Sequence, residues 1–347
     1  MKKVVVIGGA GFIGCHVVAH HLGVDDQVTV IDNLSRKGTD INLQWLEEQP
    51  GDFSFFHGDI RIDRDLLEQQ CLNADLIYHL AAQVAVTTSV TNPREDFDIN
   101  ALGTFNVLEA ARGARSDPIL IYASTNKVFG GLEDLEVVVS EKRYQLSGAP
   151  LGIDEDRSLD FHSPYGCSKG SGDQYCRDYY RIYGLKTLVF RQSCIYGIRQ
   201  FGVEDQGWVA HFVISSLFDK PITIYGDGMQ VRDVLWIEDL VQAYLKAVTE
   251  IDRTAGQVYN IGGGPTHTMS LLDLLDILAE EFGKKIQFSF ADWRPGDQKV
   301  YISNISRAKK EFGWEPQISP RKGTQLLIAW AQQNRNILSR VFKARFG

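Results

Sequence analysis

Short β-branched and aromatic runs alternate with longer amphipathic stretches through the first half of the chain. The runs predict strands near Val4–Ile7, Val28–Ile31, Phe53–Phe56, Leu76–His79, Ile119–Ala123 and Thr187–Arg191. The stretches between them predict helices near Phe12–Leu22, Ile41–Glu48, Asp63–Leu72, Pro93–Arg112 and Tyr165–Tyr183. Strand–helix alternation with nearly continuous apolar strands implies a parallel, doubly wound α/β sheet. After Arg191 the order becomes irregular, with strands expected near Ile222–Tyr225 and Val258–Ile261 and helices near Ile237–Thr249, Leu271–Phe282 and Thr324–Asn334. No linker separates the halves, so a smaller mixed α/β lobe woven into the first is expected. The division is residues 1–192 for the first domain, completed by part of 225–260, and 193–347 mainly for the second lobe.

Composition narrows the class. The 347 residues include 36 Lys+Arg against 44 Asp+Glu, a net charge of −8. This argues against a nucleic-acid partner. No stretch reaches the roughly 18 apolar residues a membrane span needs. The first apolar run is cut by Gly8-Gly9 with no cleavage-site pattern after it, so it reads as a buried strand and no membrane partner is expected. The five cysteines are scattered without metal spacing, and the histidines likewise, so no metal is expected and a reducing cytoplasm is the simplest location. His20-His21 read as a solvated helix end.

The chemistry begins where the first strand runs into Gly8-Gly9-Ala10-Gly11-Phe12-Ile13-Gly14 and then a helix. Glycines there permit a tight turn, close backbone approach to a pyrophosphate and close helix–sheet packing, and the helix N-terminus offers N–H groups to the anion. The pattern is weak alone and gains weight from its place between first strand and first helix. Asp32 ends the second strand, where a carboxylate binds a ribose 2′-hydroxyl and repels a 2′-phosphate, favouring NAD over NADP. Arg36 and Lys37 follow closely and keep a phosphate contact open. Asp59 after the third strand is a candidate for an adenine amino group or a helix cap. Leu80-Ala81-Ala82-Gln83 after the fourth is small enough to let a cofactor lie on backbone.

The fifth strand ends in Ser124-Thr125-Asn126-Lys127, and Ser163-Pro164-Tyr165-Gly166-Cys167-Ser168-Lys169 opens a long helix. Tyr165 and Lys169, one turn apart, share a face. An ammonium beside a phenol favours the phenolate, making tyrosine usable as an acid/base near neutrality. Most isolated pairs of this spacing are solvated helix faces. Here the pair stands in chain order with the glycine loop, Asp32 and a hydroxyl-bearing strand end.

With these residues the chain resembles the extended short-chain dehydrogenase/reductase family of sugar-nucleotide epimerases and dehydratases. Further matching stretches are Asp32-Asn33-Leu34, His79-Leu80-Ala81-Ala82, Asn100-Ala101-Leu102-Gly103-Thr104, Arg232-Asp233-Val234 and Arg294-Pro295-Gly296-Asp297. Ile7 departs from the threonine many members place before the glycines. The resemblance implies a Rossmann-type sheet with a C-terminal substrate lobe, NAD as cofactor, and a homodimer or homotetramer built on the two long helices. By position, the cofactor contacts are Gly8, Gly11, Phe12, Ile13, Gly14, Asp32, Asn33, Ser35, Arg36, Asp59, Ile60, Leu80, Ala81, Ala82, Gln83, Asn100, Ser124, Tyr165 and Lys169. Thr125 orients the sugar hydroxyl, Tyr165 is acid/base, Lys169 tunes it and holds the nicotinamide ribose, and Asn100 supports the helix and proton path. Thr125, Asn126, Gln192, Ser193, Gln206, Arg232 and Arg294 are expected to bind substrate. For both arginines a simple ion pair is the competing reading.

Within the family, Leu159–Gly170 and Arg199-Gln200-Phe201 with Asp205-Gln206-Gly207-Trp208-Val209 point to the branch that inverts C2 of a CDP-hexose through a transient 2-keto sugar. The alternatives are 4-epimerisation or 4,6-dehydration on the same fold, and a non-catalytic NAD(H) sensor. Dehydratases usually carry an acidic pair where Asn126-Lys127 stand. The Leu132–Asp154 segment is an insertion, expected as a lid over the sugar or as a surface hairpin.

Overall fold

A computed structural model describes residues 1–294 and 297–342. Seven parallel strands form its central sheet: β1 (Lys3–Ile7), β2 (Gln27–Asp32), β3 (Phe53–His57), β4 (Leu76–His79), β5 (Ile119–Thr125), β6 (Lys186–Gln192) and β7 (Val258–Ile261). Their order across the sheet is β7-β6-β5-β4-β1-β2-β3. The chain therefore starts in the middle and winds outward both ways, leaving a crevice beyond the carboxyl ends of β1 and β4 where the direction reverses.

Successive residues of each strand face opposite layers, as a pleated strand requires. Val4, Val6, Val28, Val30 and Tyr78 pack with the helices Phe12–Leu22 and Ile237–Thr249. Val5, Ile7, Ile31, Ile77 and Tyr122 pack on the opposite face with Leu67, Val107, Leu108 and Cys176. Both faces are covered, which explains the continuous apolar strands.

The second lobe is mixed. The strand Val231–Trp236 pairs parallel with Cys194–Tyr196 and Val300–Tyr301 and antiparallel with Thr268–Ser270. Ile222–Tyr225 pairs with Phe288–Ala291. The helices Trp208–Leu217, Leu271–Phe282 and Pro320–Gln333 pack around them. The chain then crosses back, because β7 lies after this lobe has begun yet pairs with β6 over Val258–Val189 to Ile261–Gln192.

Two expectations change, and one open reading narrows. The helix read over Pro93–Arg112 is divided: Pro93–Phe97 and Gly103–Arg112 flank a wide π-turn at Asp98–Leu102. Such a turn admits one extra residue and re-aims its side chains. His21 is not solvated; its ring lies buried between Asp26 (Nδ1 to Oδ2, 2.8 Å) and Tyr78 (Nε2 to Oη, 3.0 Å). The Leu132–Asp154 insertion folds as an antiparallel hairpin, Val137–Ser140 with Arg143–Leu146. It docks on the second lobe through Arg143–Asp273 at 2.8 Å and the Tyr144 N–H to the Met229 carbonyl at 3.0 Å.

Candidate active site

The glycine loop is shaped by contacts that leave no room for side chains. Gly8 has φ +85°, and a Cβ there would stand 2.5 Å from the Ala81 nitrogen. A Cβ on Gly14 would meet the Gly8 carbonyl oxygen at 2.1 Å. The loop is held by hydrogen bonds from Gly8 N to the Ile31 carbonyl (2.7 Å) and from Ala10 N to Asp32 Oδ2 (3.0 Å). The helix that follows has no side-chain cap, so its first N–H groups face the crevice.

A cavity of about 180 Å³ opens there. It is lined by Gly8, Gly11, Phe12, Ile13, Gly14, Asp32, Asn33, Ser35, Arg36, Asp59, Ile60, Leu80, Ala81 and Ala82, which brings together most of the expected cofactor contacts. Burial pushes the Asp32 carboxyl up from the ordinary carboxylate range, against the pull of the Leu34, Ala10 and Gly11 N–H groups. Asp59 is held down to about 2 by hydrogen bonds from Arg61, and also receives Asn33 Nδ2 at 3.1 Å. Its carboxylate is therefore ionised and fixed. These features fit a dinucleotide: small residues where the pyrophosphate would lie, an uncapped helix end, and a strand-end carboxylate, Asp32, that among the described residues is in no ion pair.

A second cavity of about 250 Å³ adjoins the first, since Val84 and Gln206 line both. Lys127, Arg232 and Arg294 bring positive charge to it, with Asp297, Asp205 and Glu204 beside them. Both arginines are paired: Arg232 with Asp297 at 2.5 Å, and Arg294 with Asp205 at 3.1 Å while its guanidinium lies 3.9 Å from the Tyr225 ring centre. The competing ion-pair reading thus describes their resting contacts, yet both still face the cavity. Pro295 and Gly296 lie outside the described residues. Buried polar atoms on the cavity-lining residues, among them Thr87 Oγ1 and Gln230 Oε1, have no hydrogen-bond partner among the described residues, as suits a polar ligand. Gln206 also accepts from Arg36 Nη2 at 3.0 Å, joining the loops of the two lobes.

Thr125, at the carboxyl end of β5, stands close enough to Tyr165 to favour its ionised form. Thr125 Oγ1 accepts from Lys127 N and donates to Asn126 Oδ1, both at 3.3 Å. Lys169 is buried behind them with its Nζ 4.2 Å above the Tyr122 ring. The expectation that Lys169 depresses the phenol is not met in this arrangement. Burial instead pushes Tyr165 up to about 12, offset by Thr125 and Arg36, and lowers Lys169 to about 8. Desolvation disfavours each charged form, and the ammonium has turned to the face of Tyr122.

Several expected contacts are engaged elsewhere. Ser124 Oγ donates to Asp173 at 2.8 Å, and Asp173 forms a buried pair with Arg191 at 2.9 Å. Gln192 donates to the Tyr244 hydroxyl, and Ser193 to Asp233. Neither lines the two cavities described above. Their strand-end positions bring the backbone near the site, but both side chains turn into the core. The Gln83 side chain folds back on the Ala85 backbone, while its N–H reaches Asn100 Oδ1 at 3.0 Å. Asn100 donates through Nδ2 to the Gln83 carbonyl, Asp96 and Ser168. Lys127 and the wall made by Val84, Val86 and Thr87 were not assigned from sequence; the signal present was a lysine two positions beyond Thr125.

Known proteins match this arrangement over almost the whole length. The family described as GDP-mannose 4,6 dehydratase matches residues 5–327. The chain belongs to the extended short-chain dehydrogenase/reductase family of nucleotide-sugar epimerases and dehydratases. A CDP-paratose 2-epimerase from Salmonella typhi is 43% identical over 334 residues, 94% of this chain and 98% of that protein. Solved structures superpose closely. A UDP-glucuronic acid 4-epimerase from Bacillus cereus, in complex with UDP-glucuronic acid and NAD, has a TM-score of 0.82 at 30% identity, over 95% and 99% of the two chains. A dTDP-glucose 4,6-dehydratase from Streptomyces venezuelae with NAD has a TM-score of 0.83 at 28% identity, over 98% and 99%. Family membership makes the chain a nucleotide-sugar-modifying enzyme. Among the described residues, no helix is long and apolar enough to cross a membrane.

Proposed function

We propose that the protein is an NAD-dependent nucleotide-sugar epimerase that inverts C2 of a CDP-hexose, with CDP-paratose or a related CDP-sugar as substrate. The observation that carries the C2 assignment is the 43% identity to a CDP-paratose 2-epimerase over nearly all of both chains. The strand end Thr125-Asn126-Lys127 adds to it, because it lacks the acidic pair expected of a dehydratase.

The C2 hydrogen has no neighbouring carbonyl and is not acidic, so direct deprotonation is excluded. Bound NAD would supply a hydride acceptor and then a hydride donor at that carbon, without net redox change. The glycine loop and the first helix turn hold its pyrophosphate, and Asp32 its adenosine ribose. Lys169 is assigned the nicotinamide ribose. Tyr165, once ionised, takes the proton of the C2 hydroxyl as the 2-keto sugar forms and returns it to the same oxygen when the ketone is reduced on its opposite face, so it acts as base and then acid. Thr125, beside the phenol, orients that hydroxyl. Arg232, Arg294 and Lys127 bind the diphosphate, the arginines by the bidentate geometry a guanidinium offers. The two long helices are assigned to a homodimer or homotetramer interface, and the thiol state of all five cysteines fits a cytoplasmic enzyme.

A 4-epimerase is the second reading, favoured by the close superposition on a UDP-sugar 4-epimerase. Incubation with CDP-, UDP-, GDP- and dTDP-hexoses, followed by NMR of the C2 and C4 configurations, separates the two. Inversion at C2 of a CDP-sugar is expected; inversion at C4 alone overturns the assignment.

A further inference from the structure

The stretches Arg199-Gln200-Phe201 and Asp205-Gln206-Gly207-Trp208-Val209 point to a branch of the family, yet the reaction above uses neither. The structure docks the first on the loop and helix after β2. Gly38, with φ +86°, makes room for the Phe201 ring, since a Cβ there would stand 2.2 Å from Phe201 Cδ2. Asn42 Nδ2 donates to the Arg199 carbonyl at 3.4 Å, and the Arg199 guanidinium lies 3.9 Å from the Trp45 ring centre. Beyond Phe201 the chain folds back in a tight turn, in which Val203 and Gln206 exchange N–H to carbonyl bonds at 2.9 and 3.0 Å. The turn delivers Gln206 to Arg36, whose Nη2 donates to Gln206 Oε1 at 3.0 Å. The Arg36 backbone is fixed by the Thr39 hydroxyl, which donates to its carbonyl at 2.7 Å.

This contact stands where the two cavities join. Both residues line the cofactor cavity, and Gln206 also lines the substrate cavity. Among the described residues, Gln206 is the one second-lobe residue on the cofactor cavity. Arg36 is exposed and Gln206 half-buried, which puts their bond at the mouth, between cavity and solvent. A neutral amide, not a carboxylate, holds the guanidinium there. A single bond of this kind at the surface is strong enough to slow an exit and weak enough to open for entry.

We propose that Arg36 and Gln206 form a clasp at the mouth of the cofactor cavity, a pair of positioning residues that keeps the reduced cofactor and the keto sugar together until the hydride is returned. The proposal rests on the epimerase reading above. An epimerase differs from a dehydrogenase in that its oxidised and reduced partners must meet again. Between the two hydride transfers the sugar has to present its opposite face, which gives either partner time to leave. A keto sugar that escapes leaves the enzyme reduced and idle. The clasp ties the cofactor loop of the first lobe to the sugar loop of the second across the joint of the two cavities. It opens for cofactor exchange and stays shut during turnover.

The test loads the holoenzyme with radiolabelled NAD and chases it with an excess of unlabelled NAD. Arg36→Met and Gln206→Met are each expected to release label about fivefold faster than the wild type. The double variant should be no faster than the quicker single one, because the one shared bond can be lost only once. Gln206→Ala takes the place of Gln206→Met if that variant fails to fold, with the same expectation. With a CDP-sugar present, the single variants should also pass reduced cofactor and keto sugar into an ultrafiltrate, which the wild type retains. Unchanged release in the Gln206 variant, or effects that multiply in the double variant, overturn the clasp. A lowered unfolding temperature without faster release overturns it too, since that marks packing alone. If the wild type epimerises no nucleotide sugar, the functional reading fails while the release of label still decides the clasp.

Discussion

Lys127 carries a cavity-facing charge whose state changes near neutral pH. Burial, and then Arg232 beside it, lower its ammonium to about 8, with Asp297 opposing. A diphosphate binds the protonated form, so affinity is present below that value and lost as pH rises through it. Calorimetric titration with CDP should show binding weakening by up to about tenfold from pH 7 to pH 9. Lys127→Met should bind more weakly at pH 7 and lose the dependence; a flat wild-type profile counts against a diphosphate contact. At this scale the sequence was legible where chemistry is written into local spacing. Tyr165 and Lys169 share a helix turn, and the glycines precede a helix. It was not legible where side chains must choose among partners. Ser124, Gln192 and Ser193 stand at strand ends as expected, but Asp173, Tyr244 and Asp233 claim them from elements far along the chain. The placing of Asn100 depends likewise on a π-turn that no residue pattern announces.

Among elements, the join of β1 to the first helix is the least tolerant. Gly14→Ala puts a methyl against the Gly8 carbonyl, where backbone, not a mobile side chain, must give way. Its NAD content as purified should fall to near zero, measured by cofactor release and absorbance, while circular dichroism stays close to wild type. Retention of full cofactor would contradict the assignment of this loop to the pyrophosphate. Central strands and long helices were readable because burial imposes period 2 or 3.6 on them. Two helices were not. Val86–Thr91, sequence VTTSVT, has the β-branched composition of a strand, and its packing against the helix Ser163–Tyr183 overrides propensity. Trp208–Leu217 is buried on nearly every side and so shows no amphipathic period.

Across the whole molecule, one surface is unusually apolar. Phe97 and Phe105 on one helical stretch and Tyr175, Ile182 and Tyr183 on the catalytic helix are exposed, with Phe105 and Tyr175 in edge-to-face contact at 6.0 Å. Light scattering should give the wild type a mass of at least twice 38.9 kDa, and Phe105→Glu with Tyr175→Glu a single chain. A monomeric wild type at all concentrations excludes this face as a self-association surface. The return of the chain to supply β7 has a further consequence, one for descent and engineering. No single cut separates the lobe that binds the cofactor from the lobe that selects the sugar. A fragment ending at residue 192 would expose the edge of β6, and a grafted second lobe would have to bring a matching β7 with it. New sugar specificities on this scaffold are therefore reached by substituting residues and loops around an undivided chain, not by shuffling modules.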